Sequence, residues 1–143
     1  MYPARGFFYF KWLMFLFNSK NTTRTGSKGE IIAEKYLLKN GYTIVEKNFK
    51  NNYGRRLGEI DIIAKKDAVL FFIEVKTRFS KNYVVLPEEN IGREKLFKLN
   101  KIIQFYLKTH NSWDCPYQID AISVLINKDT NSAQIKHLKN IFF

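Results

Sequence analysis

Three charged residues stand inside an otherwise apolar hairpin pattern, and their types suit metal-assisted chemistry on phosphates. Asp61 lies in the segment GEIDIIA (58–64), while Glu74 and Lys76 end the segment VLFFIEVK (69–76). Charged groups in a buried strand are costly unless they are paired or bind a metal ion. Two neighbouring carboxylates suit Mg²⁺, and a lysine beside them can stabilise a phosphate under attack. The alternative is a buried ion-pair cluster that holds the hairpin in register.

The position of the turn decides whether the two acids can meet. Side chains alternate between the faces of a strand, and opposed residues of an antiparallel pair share a face. A two-residue turn at Asp67 and Ala68 places the acids directly opposite each other, and one a position earlier makes them diagonal neighbours. A three-residue turn separates them. The uninterrupted apolar run 69–73 indicates burial on both faces and hence a central strand.

The segments around the hairpin predict an α/β domain with a central mixed β-sheet flanked by helices. The expected elements are a helix over 28–40, a strand over 42–48, the two hairpin strands, a helix over 88–109, and strands over 118–126 and 133–138. Ser27 and Glu30 fit a capping box at the start of the first helix, and Gly41 fits its end. The order α-β-β-β-α-β-β favours a mixed sheet.

The second helix shows an apolar stripe at spacings of three and four residues, with lysines on the opposite face. The stripe consists of Leu96, Leu99, Ile102, Ile103 and Tyr106, and the lysines are Lys98, Lys101 and Lys108. This periodicity predicts a helix that packs one side on the sheet.

Composition indicates a single basic domain. Hydrophobic residues make up 45% of the 143, enough for a core, and the formal net charge is +11. Such a charge favours nucleic acid or an acidic membrane face, although an AT-rich genome would also enrich lysine. Cys115 is the only cysteine, which excludes an intrachain disulfide and favours the reducing cytoplasm. His110 and His137 lie far apart without a motif, so no zinc site is expected.

The aromatic run FFYFKWLMFLF (7–17) stands outside the domain pattern. It is too short to span a bilayer and lacks the small-residue cleavage site of a signal peptide. We expect residues 1–25 to form an aromatic-rich extension and linker, and residues 26–143 to form the domain. The run could dock on its own domain or on a second subunit in a homodimer, and membrane contact is the alternative.

The spacing of an acid, a gap and acid-x-Lys, here Asp61 and then Glu74-Val75-Lys76, resembles the signature of the PD-(D/E)xK nuclease superfamily. The chain resembles the YraN-like family of small bacterial proteins over about residues 26–143. The matching stretches are GSKGEIIAEKYLLKNGY, RLGEIDIIA, FIEVKTR, the helix around REKLFKL, and YQIDAISV. Ile60 stands where the superfamily has a proline, a departure that the YraN-like pattern shares.

This resemblance implies a restriction-endonuclease-like fold close to that of archaeal Holliday-junction resolvases. It implies that Asp61 and Glu74 are metal ligands, together with the Val75 carbonyl, and that Lys76 is the catalytic lysine. It also implies that Glu30 is a further acid near the metal, although the capping box alone would account for this residue.

Several other charged residues have two interpretations. Lys95 matches a lysine on the family's second helix and could contact phosphate, or its side chain could extend out of the core. Arg55, Arg56 and Arg78 flank the hairpin and could clamp a sugar-phosphate backbone, or form a solvated basic surface. Other acids in these strands have structural explanations: Glu59 fits a salt bridge better than a ligand, and Asp120 fits a pair with a basic neighbour.

The sequence thus favours a nucleic-acid-binding protein that hydrolyses phosphodiester bonds with Mg²⁺ or Mn²⁺. By family analogy the substrate is DNA, in branched or otherwise structured form, and a two-fold dimer would suit a resolvase-like role. Two alternatives remain: a catalytically inactive DNA-binding module of the same fold, and an adaptor at the membrane face.

Overall fold

The predicted order of helices and strands is present, with one further short strand at its start. The structure is a computed structural model that describes residues 8–10, 25–80 and 92–141. Its elements are β1 (Phe8–Phe10), α1 (Thr25–Lys39), β2 (Thr43–Lys50), β3 (Glu59–Lys66), β4 (Val69–Ser80), α2 (Arg93–Thr109), β5 (Tyr117–Asn127) and β6 (Ser132–Leu138). The α/β class and the order α-β-β-β-α-β-β are therefore confirmed from α1 onward.

The strands form one mixed sheet in the order β1-β6-β5-β4-β3-β2. Only β4 and β5 run parallel among these neighbours, and the other pairs are antiparallel. Parallel neighbours need a crossover connection, and α2 lies in the chain between them. This arrangement agrees with the restriction-endonuclease-like fold that the resemblance implies.

β4 lies at the centre of the sheet and is buried on both faces, as its apolar run predicts. Phe71 and Ile73 belong to the core on the α1 side, together with Ile32 and Leu37. Phe72 belongs to the core on the α2 side, which also contains the buried stripe of that helix. The side chains of β4 beyond Ile73 therefore emerge from the middle of the domain.

The hairpin turn is the one whose register, continued by one position past the ladder, opposes the two acids directly. Asp67 and Ala68 have φ values of 49° and 63°, the left-handed geometry of a two-residue type I′ turn. The register follows from it, running from Lys66 opposite Val69 to Ile62 opposite Ile73. The turn one position earlier is therefore excluded.

The start of α1 differs from the prediction. The helix begins at Thr25, so Ser27 lies inside it and the predicted capping box is wrong. The helix approaches β4 closely at its second turn, because a Cβ atom at Gly29 would lie only 1.7 Å from Thr77 Oγ1. A larger residue at position 29 would therefore not fit between α1 and the sheet.

The end of α1 agrees with the prediction. Gly41 has φ +80°, its N–H donates to Leu38 O, and Tyr42 N–H donates to Leu37 O. These two bonds form a Schellman motif, which satisfies carbonyl groups at the end of the helix.

α2 begins at Arg93, and Gly92 is its N-cap. The predicted helix over 88–109 is therefore wrong in including Gly92, while residues 88–91 lie outside the described residues. The stripe is confirmed. Its buried members are Leu99, Ile102, Ile103 and Tyr106, joined by Leu107, while Leu96 is half-buried and Lys98, Lys101 and Lys108 are exposed.

The aromatic run is described only at β1, whose backbone pairs with β6. Phe8 lies opposite Ile135 and Phe10 lies opposite Ala133. The rest of the run and the predicted linker before α1 lie outside the described residues, so the division at residue 25, the dimer and the membrane contact remain predictions. Within the described ranges, no helix is long and apolar enough to cross a membrane.

Candidate functional site

The candidate site lies where β3 and β4 separate. We call this place the fork, and its residues are Asp61, Glu74 and Val75. Their ladder ends at Ile62 opposite Ile73, one position before the two acids. From Glu74 onward β4 continues beside β5, while the first half of β3 continues beside β2. At the fork, Val75 N–H donates to Asp61 Oδ2 at 2.7 Å in place of a ladder bond. The two acids thus lie between the central strands, and the position of Asp61 is fixed.

The Asp61 carboxyl is largely buried beside other negative charges. Its pKa is raised from 3.8 to about 7, first by burial and then by the charge of Glu74. Glu30 raises the pKa further, whereas the Val75 hydrogen bond and Lys95 oppose the shift. A fork with this much negative charge favours a cation between the two acids.

Glu74 is only 6% exposed, and its Oε1 accepts a hydrogen bond from Lys95 Nζ. Lys95 lies in the first turn of α2, so this contact joins the helix to the fork. Its side chain therefore reaches an anion, as one of the two sequence interpretations requires, but that anion is Glu74. Phosphate contact by Lys95 remains a prediction.

Glu30 lies near the fork and is held by a neutral partner. Asn48 Nδ2 donates to Glu30 Oε2 at 2.9 Å. Burial raises the pKa of Glu30, with smaller contributions from Glu59 and Glu74. This orientation differs from the predicted capping role, and it brings the acid close enough to interact with the charges of Glu74 and Asp61.

The fork offers two carboxylates, those of Asp61 and Glu74, as ligands for a Mg²⁺ ion. In the described parts of the chain, no three His, Cys, Asp or Glu side chains form a group that could hold a metal ion. Mg²⁺ needs only one or two protein carboxylates, because water and substrate oxygens complete its shell. Asp61 and Glu74 supply these carboxylates, and the raised pKa of Asp61 reflects its burial first and the charge of Glu74 second.

The predicted basic residues lie on β4 and in the loop between β2 and β3. Lys76 is half-buried on β4, on the same face as Glu74. Arg78 follows on the same strand and is exposed. Arg55 and Arg56 are exposed in the loop between β2 and β3. Lys76 thus follows Glu74 on one face of β4, and the three arginines are exposed.

Glu59 is salt-bridged, as the sequence indicates. Its Oε2 lies 3.2 Å from Lys50 Nζ and 3.3 Å from Arg56 Nη2. These pairs connect the start of β3 with the end of β2 and with the basic loop, so Arg56 is partly engaged within the protein.

Sequence reasoning missed the residue that organises the basic loop. The Asn51 side chain donates to Tyr53 O at 2.9 Å and to Arg55 O at 3.0 Å, and its Oδ1 accepts from Leu57 N–H at 2.9 Å. The sequence feature that could have revealed it is Asn51, the first residue of NNYG, since asparagine side chains commonly form hydrogen bonds with the backbone of a following turn. The loop therefore has a defined shape.

Asp120 has the basic partner that the sequence predicts. It is fully buried, and its Oδ2 lies 2.7 Å from His137 Nε2. Its Oδ1 accepts from Asn140 N–H at 2.8 Å and Gln118 Nε2 at 2.7 Å. Tyr36 contacts the other nitrogen of the His137 ring at 3.4 Å. This network joins β5, β6 and α1, which is a structural role.

The model of the uncharacterised protein family UPF0102 matches residues 29–124, a range that contains every residue of the fork. The chain belongs to the UPF0102 family. It is 42% identical to a UPF0102 protein of Campylobacter fetus over 118 residues, which cover 82% of this chain and 93% of the relative. A UPF0102 protein of Nitratiruptor is 48% identical over 105 residues, covering 73% and 84%. One from Caldanaerobacter subterraneus is 40% identical over 123 residues, covering 85% and 97%. The YraN-like resemblance is thereby confirmed.

Proposed function

We propose that this UPF0102 protein is a Mg²⁺-dependent nuclease that hydrolyses phosphodiester bonds, with DNA as its substrate. The observation that carries the proposal is the hydrogen bond from Val75 N–H to the Asp61 carboxyl, which holds this acid near the buried Glu74 where the β3–β4 ladder ends. Such a pair carries charge that the fold must offset, and its cost suits a functional site better than a stability device.

Each residue of the fork has a role in this proposal. Asp61 and Glu74 would hold Mg²⁺ or Mn²⁺, and the Val75 N–H fixes the orientation of Asp61. When bound, the ion supplies Lewis-acid activation of the phosphate and of the attacking water. Lys76, on the same face of β4 as Glu74, would stabilise negative charge on the phosphate. Glu30 would hold a proton or a water molecule at the edge of the metal site.

The test is cleavage of plasmid and four-way-junction DNA by the purified full chain with Mg²⁺, Mn²⁺ or EDTA. We expect Glu74→Gln and Lys76→Met to lower the rate at least a hundredfold while the circular dichroism spectrum is retained. Asp129→Asn is the matched control, because Asp129 is an exposed acid in the turn between β5 and β6. Equal cleavage by all four proteins would identify a contaminating nuclease and refute the proposal.

A DNA-binding module without turnover is the second candidate, and the Lys95–Glu74 contact favours it. The ammonium group of Lys95 already offsets the charge of Glu74, and a fork neutralised in this way needs no metal ion. This candidate requires salt-dependent DNA binding in EDTA and no cleavage with any divalent cation.

A further inference from the structure

The loop between β2 and β3 and the outer flank of α2 present aromatic rings and cations side by side. Tyr53 is 69% exposed and Phe97 is 59% exposed, although both are large apolar side chains. Arg55, Lys98 and Lys101 are exposed around them. We call these five residues the Tyr53 surface.

Contacts between the loop and the helix make this surface continuous. The Tyr53 ring packs edge-on against Phe105, with 5.5 Å between centroids. Phe97 lies two helical turns before Phe105, about 12 Å along the axis. Gly58, where the loop ends, lies next to α2, because a Cβ atom there would be in van der Waals contact with Lys98 O at 3.5 Å.

The surface is ordered before any ligand binds. The three hydrogen bonds of Asn51 fix the backbone that carries Tyr53 and Arg55. Lys101 Nζ lies 4.4 Å from the centroid of the Phe97 ring, which places a cation directly beside an exposed aromatic side chain. A preformed surface avoids the entropic cost of ordering a flexible loop on binding.

The chemistry of these side chains distinguishes between kinds of nucleic acid. Cations alone would suit the backbone of a duplex. Exposed aromatic rings add affinity where bases are unstacked, because each free base offers a flat face for stacking.

We propose that the Tyr53 surface binds an unpaired strand of nucleic acid, with bases stacked on Tyr53 and Phe97 and phosphates paired with Arg55, Lys98 and Lys101. The inference rests on the proposed function, which supplies nucleic acid as the ligand. It narrows the substrate to nucleic acids that have a single-stranded part. Lys95 lies one turn before Lys98 on α2 and contacts Glu74, so the surface leads toward the fork.

The test measures binding in EDTA, where cleavage cannot occur. Fluorescein-labelled dT15, rU15 and a 15-base-pair DNA duplex are titrated with the full chain, and anisotropy is followed at 50 and 200 mM salt. We expect a single strand to bind more tightly than the duplex, and the two labelled strands distinguish DNA from RNA. Tyr53→Ala and Phe97→Ala should each weaken single-strand binding about tenfold.

Matched variants separate stacking from a general loss of structure. Tyr53→Phe keeps the ring and should bind like the parent chain, whereas Asn51→Ala should weaken binding by releasing the loop. Trp113→Ala is the control, because Trp113 is 56% exposed but lies beyond the C-terminal end of α2. Unfolding curves verify that each variant is folded.

Three results would overturn the inference: tighter binding of the duplex, equal losses in Tyr53→Ala and Trp113→Ala, or binding of anionic lipid vesicles in place of both strands. None of them bears on cleavage, which depends on Glu74 and Lys76. Conversely, tight dT15 binding by a parent chain that cleaves no DNA with Mg²⁺ or Mn²⁺ would support the surface and refute the proposed function.

Discussion

At the scale of single residues, Asp61 combines a fixed orientation with an unfavourable environment. Val75 N–H holds the carboxyl group in place, while burial and Glu74 raise its pKa to about 7. In the unfolded chain the carboxyl group ionises near 3.8. The folded protein therefore binds the proton more tightly than the unfolded chain, and this contribution to stability is lost as pH rises from about 4 to 7.

The sign of this linkage predicts that Asp61→Asn stabilises the protein at alkaline pH. Asparagine keeps an oxygen for Val75 N–H and removes the titrating charge. At pH 8 we expect a gain of about 2 kcal/mol, or roughly 5 °C in Tm, that shrinks by more than half at pH 5. Urea unfolding at both pH values in EDTA provides the measurement, and a loss of stability at pH 8 would contradict the environment assigned to Asp61.

Lys95 gives a second prediction at this scale, because its ammonium group and a divalent cation compete for Glu74. Lys95→Met should bind Mn²⁺ about tenfold more tightly than the parent chain in calorimetric titrations without nucleic acid. Lys98→Met is the matched control, since Lys98 pairs with the exposed Glu94. Equal Mn²⁺ affinities of parent and Lys95→Met would show that the lysine does not limit access to the fork.

At the scale of elements, the apolar runs of the hairpin strands and the apolar stripe of α2 were the most predictable features, because both are readable from nearby residues. The sequence left open which turn joins the hairpin, and hence which residues face each other. The close approach of Gly29 to Thr77 and the contact of Lys95 with Glu74 join residues that are far apart in the chain. Neither relation is encoded by local spacing.

The turn between β3 and β4 contains a residue whose replacement should raise the stability of the protein. Ala68 has φ 63°, a conformation that is costly for a residue with a Cβ atom. Ala68→Gly should stabilise the protein by about 1 kcal/mol, because glycine is favoured at this position of a type I′ turn. Thermal unfolding checks this, with Ala121→Gly as a control that should destabilise, since Ala121 is buried inside β5. A lower Tm for Ala68→Gly would contradict the turn geometry.

At the scale of the whole molecule, β1 covers one edge of the sheet. It pairs with β6, which would otherwise present unpaired backbone groups to other chains. Deleting residues 1–10 should leave the domain folded and promote its self-association, visible by sedimentation at increasing concentration. A deletion variant that stays monomeric while the parent chain binds anionic vesicles would instead favour the membrane-contact alternative.

The parallel pairing of β4 with β5 has a consequence for the order of folding. Asp61 and Val75 are 14 residues apart and meet through a tight turn, and such hairpins close within microseconds. The pairing of β5 beside β4 must wait until α2 has crossed the sheet, and non-local contacts of this kind form slowly. During synthesis the two acids therefore emerge and can meet before Lys95 leaves the ribosome. We expect the nascent hairpin to pass through a stage in which its paired acids lack this cation, so divalent ions present at that stage would accelerate the early phase of refolding.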